Sequence, residues 1–312
     1  MKLGFLYAGQ GSQHPGMGMD LYEAYPAFRA VFDNVQLDFD LKEVCFSDES
    51  GLIHLTRYTQ PCMVAFAAGL TAVLKEEGIQ PHVAAGLSLG EYSALHAAGC
   101  FDAKTAIELA AFRGQAMTQA AEGVESAMVA VLGLDRETLQ TAVDGASGEG
   151  IVVIANYNCP GQLVLGGEKT AVEKAAALAK ELGAKRCMPL KVSGPFHTPL
   201  MAPAGEALKE RFKTISFQEP SIPVIFNCLG DVQNSETIPA LLVRQVQSSV
   251  YMEDSIRRMA AMGVDAIVEI GPGKALSGFV RKTTPQVPVF AVETVADVEK
   301  LPILLKNLEV QA

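Results

Sequence analysis

Gly86-Leu87-Ser88-Leu89-Gly90 lies between a short apolar run, Pro81 to Ala85, and a helical stretch, Glu91 to Ala98. In a strand–turn–helix setting this GxSxG spacing makes a nucleophile elbow, with the serine on a sharp turn and its hydroxyl exposed at the helix N-terminus. The N–H of Leu89 then points to where an oxyanion would form. A tight turn with an incidental serine is the alternative. A serine hydroxyl needs a base to become a nucleophile, and the chain has five histidines. His82 precedes Ser88 by six residues on the same strand, roughly 20 Å away at about 3.3 Å per residue. His96 is two helical turns beyond it, and His14 and His54 have polar loop neighbours that suit a surface. His197 stands in Ser193-Gly194-Pro195-Phe196-His197-Thr198-Pro199, a stiff loop after a strand and before a helix. Such loops concentrate catalytic side chains; a structural loop histidine is the competing assignment.

Two further residues fit the same site. Gln10, in the loop Ala8-Gly9-Gln10-Gly11-Ser12-Gln13, is placed to supply a second backbone N–H to an oxyanion, or it belongs to an ordinary strand-to-helix turn. Arg113, in Ala110-Ala111-Phe112-Arg113-Gly114-Gln115-Ala116-Met117, either snorkels to solvent or is held for an anion. Spacing alone favours solvent. Other motifs fail: Gly9-Gln10-Gly11 has His14 where a dinucleotide fingerprint needs glycine. Gly271-Pro272-Gly273-Lys274 lacks the spacing and the Ser/Thr of a P-loop and reads as a turn opening a helix. No metal-ligand spacing is present, so no metal is expected.

The elements that must position these residues alternate. Lys2 to Tyr7 reads as a buried strand, Asp20 to Phe32 as a helix, and Gln60-Pro61 as the start of a helix running to about Glu77. Strands at Val224 to Asn227, Ala266 to Ile270 and Val287 to Val292 resume the pattern. Alternation of this kind predicts an α/β class with a mostly parallel sheet. Between them, strands at Ala127 to Leu132, Ile151 to Tyr157, Gln162 to Leu165 and Lys185 to Leu190 enclose helices at Arg136 to Ala146 and Thr170 to Leu182. That order is the ferredoxin-like βαββαβ motif. The expected organisation is a large α/β domain over 1–125 and 192–312, interrupted by a small ferredoxin-like domain over 126–191. A cleft between them is the natural place for a ligand.

Composition bounds the rest. A chain of 312 residues, 49% hydrophobic and 19% charged, buries a large core and is not disordered. A net charge of −10 excludes a general nucleic-acid binder and disfavours a membrane surface. The six scattered cysteines read as thiols of a reducing compartment. The N-terminal apolar stretch is too short for a signal-peptide core, and Met63 to Leu74 is too short to span a bilayer. A cytoplasmic location is expected.

Taken together, these motifs resemble the malonyl-CoA:acyl carrier protein transacylase family along nearly the whole chain. The resemblance rests on AGQGSQ at the N-terminus, TQP at Thr59 to Pro61, GLSLGEYSAL around Ser88 and FRGQAM around Arg113. It extends through ANYNCPGQ at Ala155 to Gln162, SGPFHT around His197, LLVRQV at Leu241 to Val246 and EIGPGK at Glu269 to Lys274. It implies a hydrolase-like α/β domain with an inserted ferredoxin-like one, and malonyl transfer from malonyl-CoA to acyl carrier protein through a malonyl-serine. Ser88 would be the nucleophile, His197 the base, Gln10 and Leu89 the oxyanion donors. Arg113 would bind the malonyl carboxylate and Gln245 would orient His197 through its carbonyl oxygen. No bound cofactor is implied. Leu87 departs from the family's common GHSxG. Lys185, Arg186 and Lys191, with Arg281 and Lys282, are candidates for docking an acidic carrier, or form solvated charged edges. A trans-acting acyltransferase serving a polyketide synthase, a serine esterase or thioesterase, and a catalytically dead carrier-binding module are the rivals.

Overall fold

The computed structural model describes residues 1–311. The five residues of strand β1 (Leu3–Tyr7) are all buried, as are the four of β2 (Val83–Gly86). Strands covered on both faces are the mark of parallel sheets in α/β folds. In chain order the remaining strands are β3 (Ser126–Leu132), β4 (Val152–Cys159), β5 (Gln162–Glu168), β6 (Arg186–Pro189), β7 (Val224–Phe226), β8 (Asp231–Val232), β9 (Val250–Tyr251), β10 (Ala266–Ile270) and β11 (Val289–Val292).

The chain forms two compact units. The first comprises Met1–Gly114, Ser216–Ile225 and the chain from Arg257 on. Its sheet runs β11-β10-β1-β2-β7, with parallel pairing throughout. Tyr7 pairs with Gly86, and the Leu87 N–H donates to the Tyr7 carbonyl at 3.0 Å. The loop after β1 and the turn after β2 therefore leave the sheet side by side at its C-terminal edge, where open α/β sheets bind ligands.

The second unit comprises Gln115–Ile215 and Phe226–Ile256. Its sheet has the order β6-β3-β5-β4-β9. The first four strands are antiparallel, in the order a βαββαβ chain gives a ferredoxin-like sheet. Helices Arg136–Ala146 and Lys169–Glu181 bury Leu139, Val143, Val172 and Ala175 against Val131, Ile154 and Leu165. Asp135 caps the first of them by accepting from the Thr138 N–H at 2.8 Å.

This unit takes in more chain than the 126–191 expected for the insertion. β9 pairs parallel to β4, Tyr157 stacks on Tyr251 with centroids 4.9 Å apart, and Arg136 donates to both carboxylate oxygens of Asp254. Those contacts draw residues 226–256 to the second sheet. His197 and Gln245 belong to this unit.

Two helices differ from expectation. Asp20 to Phe32 is two helices, Met19–Ala24 and Pro26–Asp33, because Tyr25 is extended ahead of Pro26. The helix expected to open at Gln60-Pro61 starts at Thr56 and runs to Glu76 with Pro61 inside it. Its first turns are buried at Thr56, Thr59 and Gln60, so packing outweighs the preference of proline for a helix start.

Candidate active site

β2 ends at Gly86 and the helix Gly90–Ala97 begins two residues after Ser88. Ser88 has φ of 52°, a left-handed conformation rare for a residue with a Cβ. A methyl on Gly86 would fall on the backbone of Gly90, and one on Gly90 would fall on the Tyr7 carbonyl. Both glycines are therefore required by contact. The elbow is held in a strained state by the packing around it, a pattern that concentrates at functional sites. Leu89 follows in right-handed helical conformation as the N-cap of the helix.

Arg113 lies on helix Ala103–Ala121 and is 1% exposed, which overturns the solvent assignment that its spacing favoured. Its Nη2 donates to Ser88 Oγ at 3.0 Å and its Nη1 donates to Gln60 Oε1 at 2.9 Å. The guanidinium carbon sits 5.5 Å from the Tyr92 ring centroid. Burial pulls the guanidinium pKa below its usual range, while Tyr92 and Glu91 favour the charged form. An arginine stays protonated even so. The result is a desolvated cation in direct contact with the serine hydroxyl.

Gln10 sits in the loop after β1, and its Nε2 donates to Thr56 Oγ1 at 3.0 Å. The Gly11 N–H donates to Gln13 Oε1 at 2.7 Å. In the second unit, His197 is 4% exposed and also has positive φ, at 60°. Its Nδ1 lies 2.9 Å from the main-chain carbonyl of Gln245, on helix Ile238–Val246. A carbonyl can only accept, so Nδ1 carries the proton and the neutral ring holds its lone pair on Nε2. Thr198 Oγ1 donates to the Pro195 carbonyl at 2.6 Å and stiffens the same loop.

The other histidines are committed elsewhere. His82 Nδ1 accepts from the Leu3 N–H at 3.2 Å, at the far end of β2 from Ser88. His96 Nδ1 meets the Phe101 carbonyl at 3.1 Å, and burial lowers its pKa. His14 Nε2 is 2.6 Å from Glu293 Oε1, and His54 Nδ1 is 3.4 Å from Gln13 Nε2. Lys185, Arg186 and Lys191 are exposed on the second unit; Arg281 and Lys282 are exposed on helix Ala275–Thr283 of the first.

Gln60, Thr56 and Tyr92 complete the surroundings of Arg113 and Gln10, and sequence reasoning gave none of them a role. One signal was available: Thr56 and Gln60 stand four apart, on one face of a helix.

The acyl transferase domain family matches residues 4–310. A malonyl CoA-acyl carrier protein transacylase of Bacillus subtilis is 42% identical over 312 residues, covering 99% of this chain and 98% of that protein. The chain belongs to this acyl transferase family. Among solved structures, malonyl CoA-acyl carrier protein transacylase from Clostridium perfringens superposes with a TM-score of 0.96 at 40% identity. That match covers 100% of this chain and 99% of the other. A malonyl-transacylase solved in complex with a type II PKS acyl-carrier protein has a TM-score of 0.92 at 36% identity, covering 96% and 98%. The fold is therefore that of the acyltransferases, with a parallel sheet in one unit and a ferredoxin-like sheet in the other.

Proposed function

We propose that this chain transfers a malonyl group from malonyl-CoA to the pantetheine thiol of acyl carrier protein, through an ester on Ser88, and so supplies fatty-acid synthesis. The observation that carries it is the 3.0 Å contact between the Arg113 guanidinium and Ser88 Oγ. A nucleophile joined to a buried cation suits an acyl group whose far end is a carboxylate, which a guanidinium fork pairs with two charge-assisted hydrogen bonds.

His197 Nε2 takes the Ser88 proton as Oγ attacks the thioester carbonyl. Negative charge collects on the carbonyl oxygen, facing the backbone N–H groups of Gln10 and Leu89. The C–S bond breaks, coenzyme A leaves with the proton from the imidazolium, and malonyl remains as a serine ester. The carrier thiol then gives its proton to His197 and attacks the ester. The C–O bond breaks, and Ser88 takes the proton back. The Gln245 carbonyl fixes the imidazole tautomer in both halves, although it stabilises imidazolium less than an aspartate would. The scheme calls on no metal or cofactor, and malonyl-CoA enters as substrate.

For the carrier we propose the exposed edge strand β6 and the chain beside it. Lys185, Arg186 and Lys191 there stand among the exposed apolar residues Leu182, Met188, Leu190 and Val192. Positive charge around an apolar patch suits an acidic partner. Arg281 and Lys282 are a second candidate patch. A cytoplasmic location belongs to the same proposal; among the described residues no helix is long and apolar enough to cross a membrane.

The test is to incubate the protein with labelled malonyl-CoA and follow label on the protein, on added carrier and as free malonate. Transfer to carrier is expected. Rapid free malonate would mean a thioesterase, and no labelling a binding module. Transfer to a polyketide-synthase carrier in preference to a fatty-acid one would move the chain to that pathway.

A further inference from the structure

We infer that Thr56 is a positioning residue for the oxyanion-binding loop, acting on the rate of malonyl transfer through Gln10. The inference rests on the function proposed above and adds a residue to its machinery.

Gln10 lies between Gly9, which packs so closely that a Cβ there would lie 2.5 Å from the Leu87 carbonyl oxygen, and Gly11, which has φ of 121° and donates its N–H to Gln13. The Gln10 side chain adds a tie to a separate element. Its Nε2 donates at 3.0 Å to Oγ1 of Thr56, which is 3% exposed and is the first residue of a 21-residue helix. A backbone N–H adjoining that side chain is thereby tied to a long, buried element.

The same helix end also holds the carboxylate receptor. Gln60, one turn beyond Thr56, accepts from Arg113 at 2.9 Å. Gly114, next to Arg113, comes so close that a Cβ there would lie 2.8 Å from the Thr56 carbonyl oxygen. The first turn of this helix therefore sets the spacing between the oxyanion donor on Gln10 and the cation that fixes the far end of the acyl group. An oxyanion donor works only when aimed within a few tenths of an ångström of the developing charge, and losing one outright costs about 10²–10³ in kcat. Loosening its anchor costs less.

Single-turnover malonyl-enzyme formation and steady-state transfer are measured for Thr56→Val and Thr56→Ser. Thr56→Val keeps the side-chain shape without the acceptor. It is expected to lower kcat about tenfold while KM for malonyl-CoA stays within about twofold, since Arg113 and Gln60 are untouched. Thr56→Ser restores the acceptor and the rate. If Thr56→Val does not fold, Gln10→Met removes the same hydrogen bond from its other end and should show the same kcat loss with the backbone N–H retained. A wild-type rate in Thr56→Val, a loss confined to KM, or a Thr56→Ser variant as slow as Thr56→Val overturns this inference alone. A malonyl adduct that still forms on Ser88→Ala overturns the function proposed above, and this role with it.

Discussion

Replacing Arg113 by methionine removes the charge and keeps most of the volume. In the wild type the cation is 1% exposed and touches the nucleophile, so an acyl group on Ser88 meets it at once. A malonyl ester presents a carboxylate to it. An acetyl ester brings no carboxylate to it and forgoes a buried ion pair whose loss costs about 3–5 kcal/mol. At about 1.4 kcal/mol per factor of ten, the wild type should prefer malonyl-CoA over acetyl-CoA by about 10²–10⁴ in kcat/KM. Arg113→Met removes both the attraction and the penalty, so malonyl transfer should fall by about 10²–10³ while acetyl transfer holds or rises. The assay is kcat/KM on both thioesters, with circular dichroism to verify the fold. Equal losses on the two substrates would refute the carboxylate-binding role.

Three further outcomes follow from the geometry. His14 has its pKa raised above 6.5, chiefly by its hydrogen bond to Glu293. The pair therefore stabilises fully below pH 6.5 and loses that contribution as pH rises through the elevated value. His14→Gln should flatten this part of the stability–pH curve, by a small amount because His14 is half exposed; an unchanged slope contradicts the assignment. Gly90→Ala drives a methyl into the Tyr7 carbonyl and should cost at least about 3 kcal/mol in denaturant unfolding, whereas Gly148→Ala, which meets nothing within 4 Å, should stay within about 0.5 kcal/mol. Lys185→Glu with Arg186→Glu should raise the carrier's KM and leave that of malonyl-CoA unchanged; an unchanged carrier KM removes this strand from the docking surface.

The elbow was legible because its residue types answer a steric demand that no others meet. Glycines at 86 and 90 stand where any side chain would strike backbone, and the serine between them has positive φ. The order of strands and helices was legible for a related reason, since fully buried strands such as β1 leave a continuous apolar run. Arg113 was not legible as a buried cation, because its partners Ser88 and Gln60 are 25 and 53 positions away. Helical spacing sees only neighbours three or four apart. The early start of the helix at Thr56 was hidden by Pro61, whose local preference is outweighed by burial of the turn before it. Thr56 itself escaped notice because its partner Gln10 lies 46 positions earlier. The reach of the second unit was hidden in the same way, since β9 joins β4 from nearly a hundred positions away.

The central claim is that the Ser88 hydroxyl carries the malonyl group and His197 removes its proton. Rapid-quench labelling with malonyl-CoA, followed by peptide mass spectrometry, tests both parts in the wild type and in His197→Ala. The adduct should map to the peptide containing Ser88, and its formation should slow by about 10²–10⁴ without the imidazole. An adduct on another residue, or acylation of His197→Ala at the wild-type rate, would contradict it.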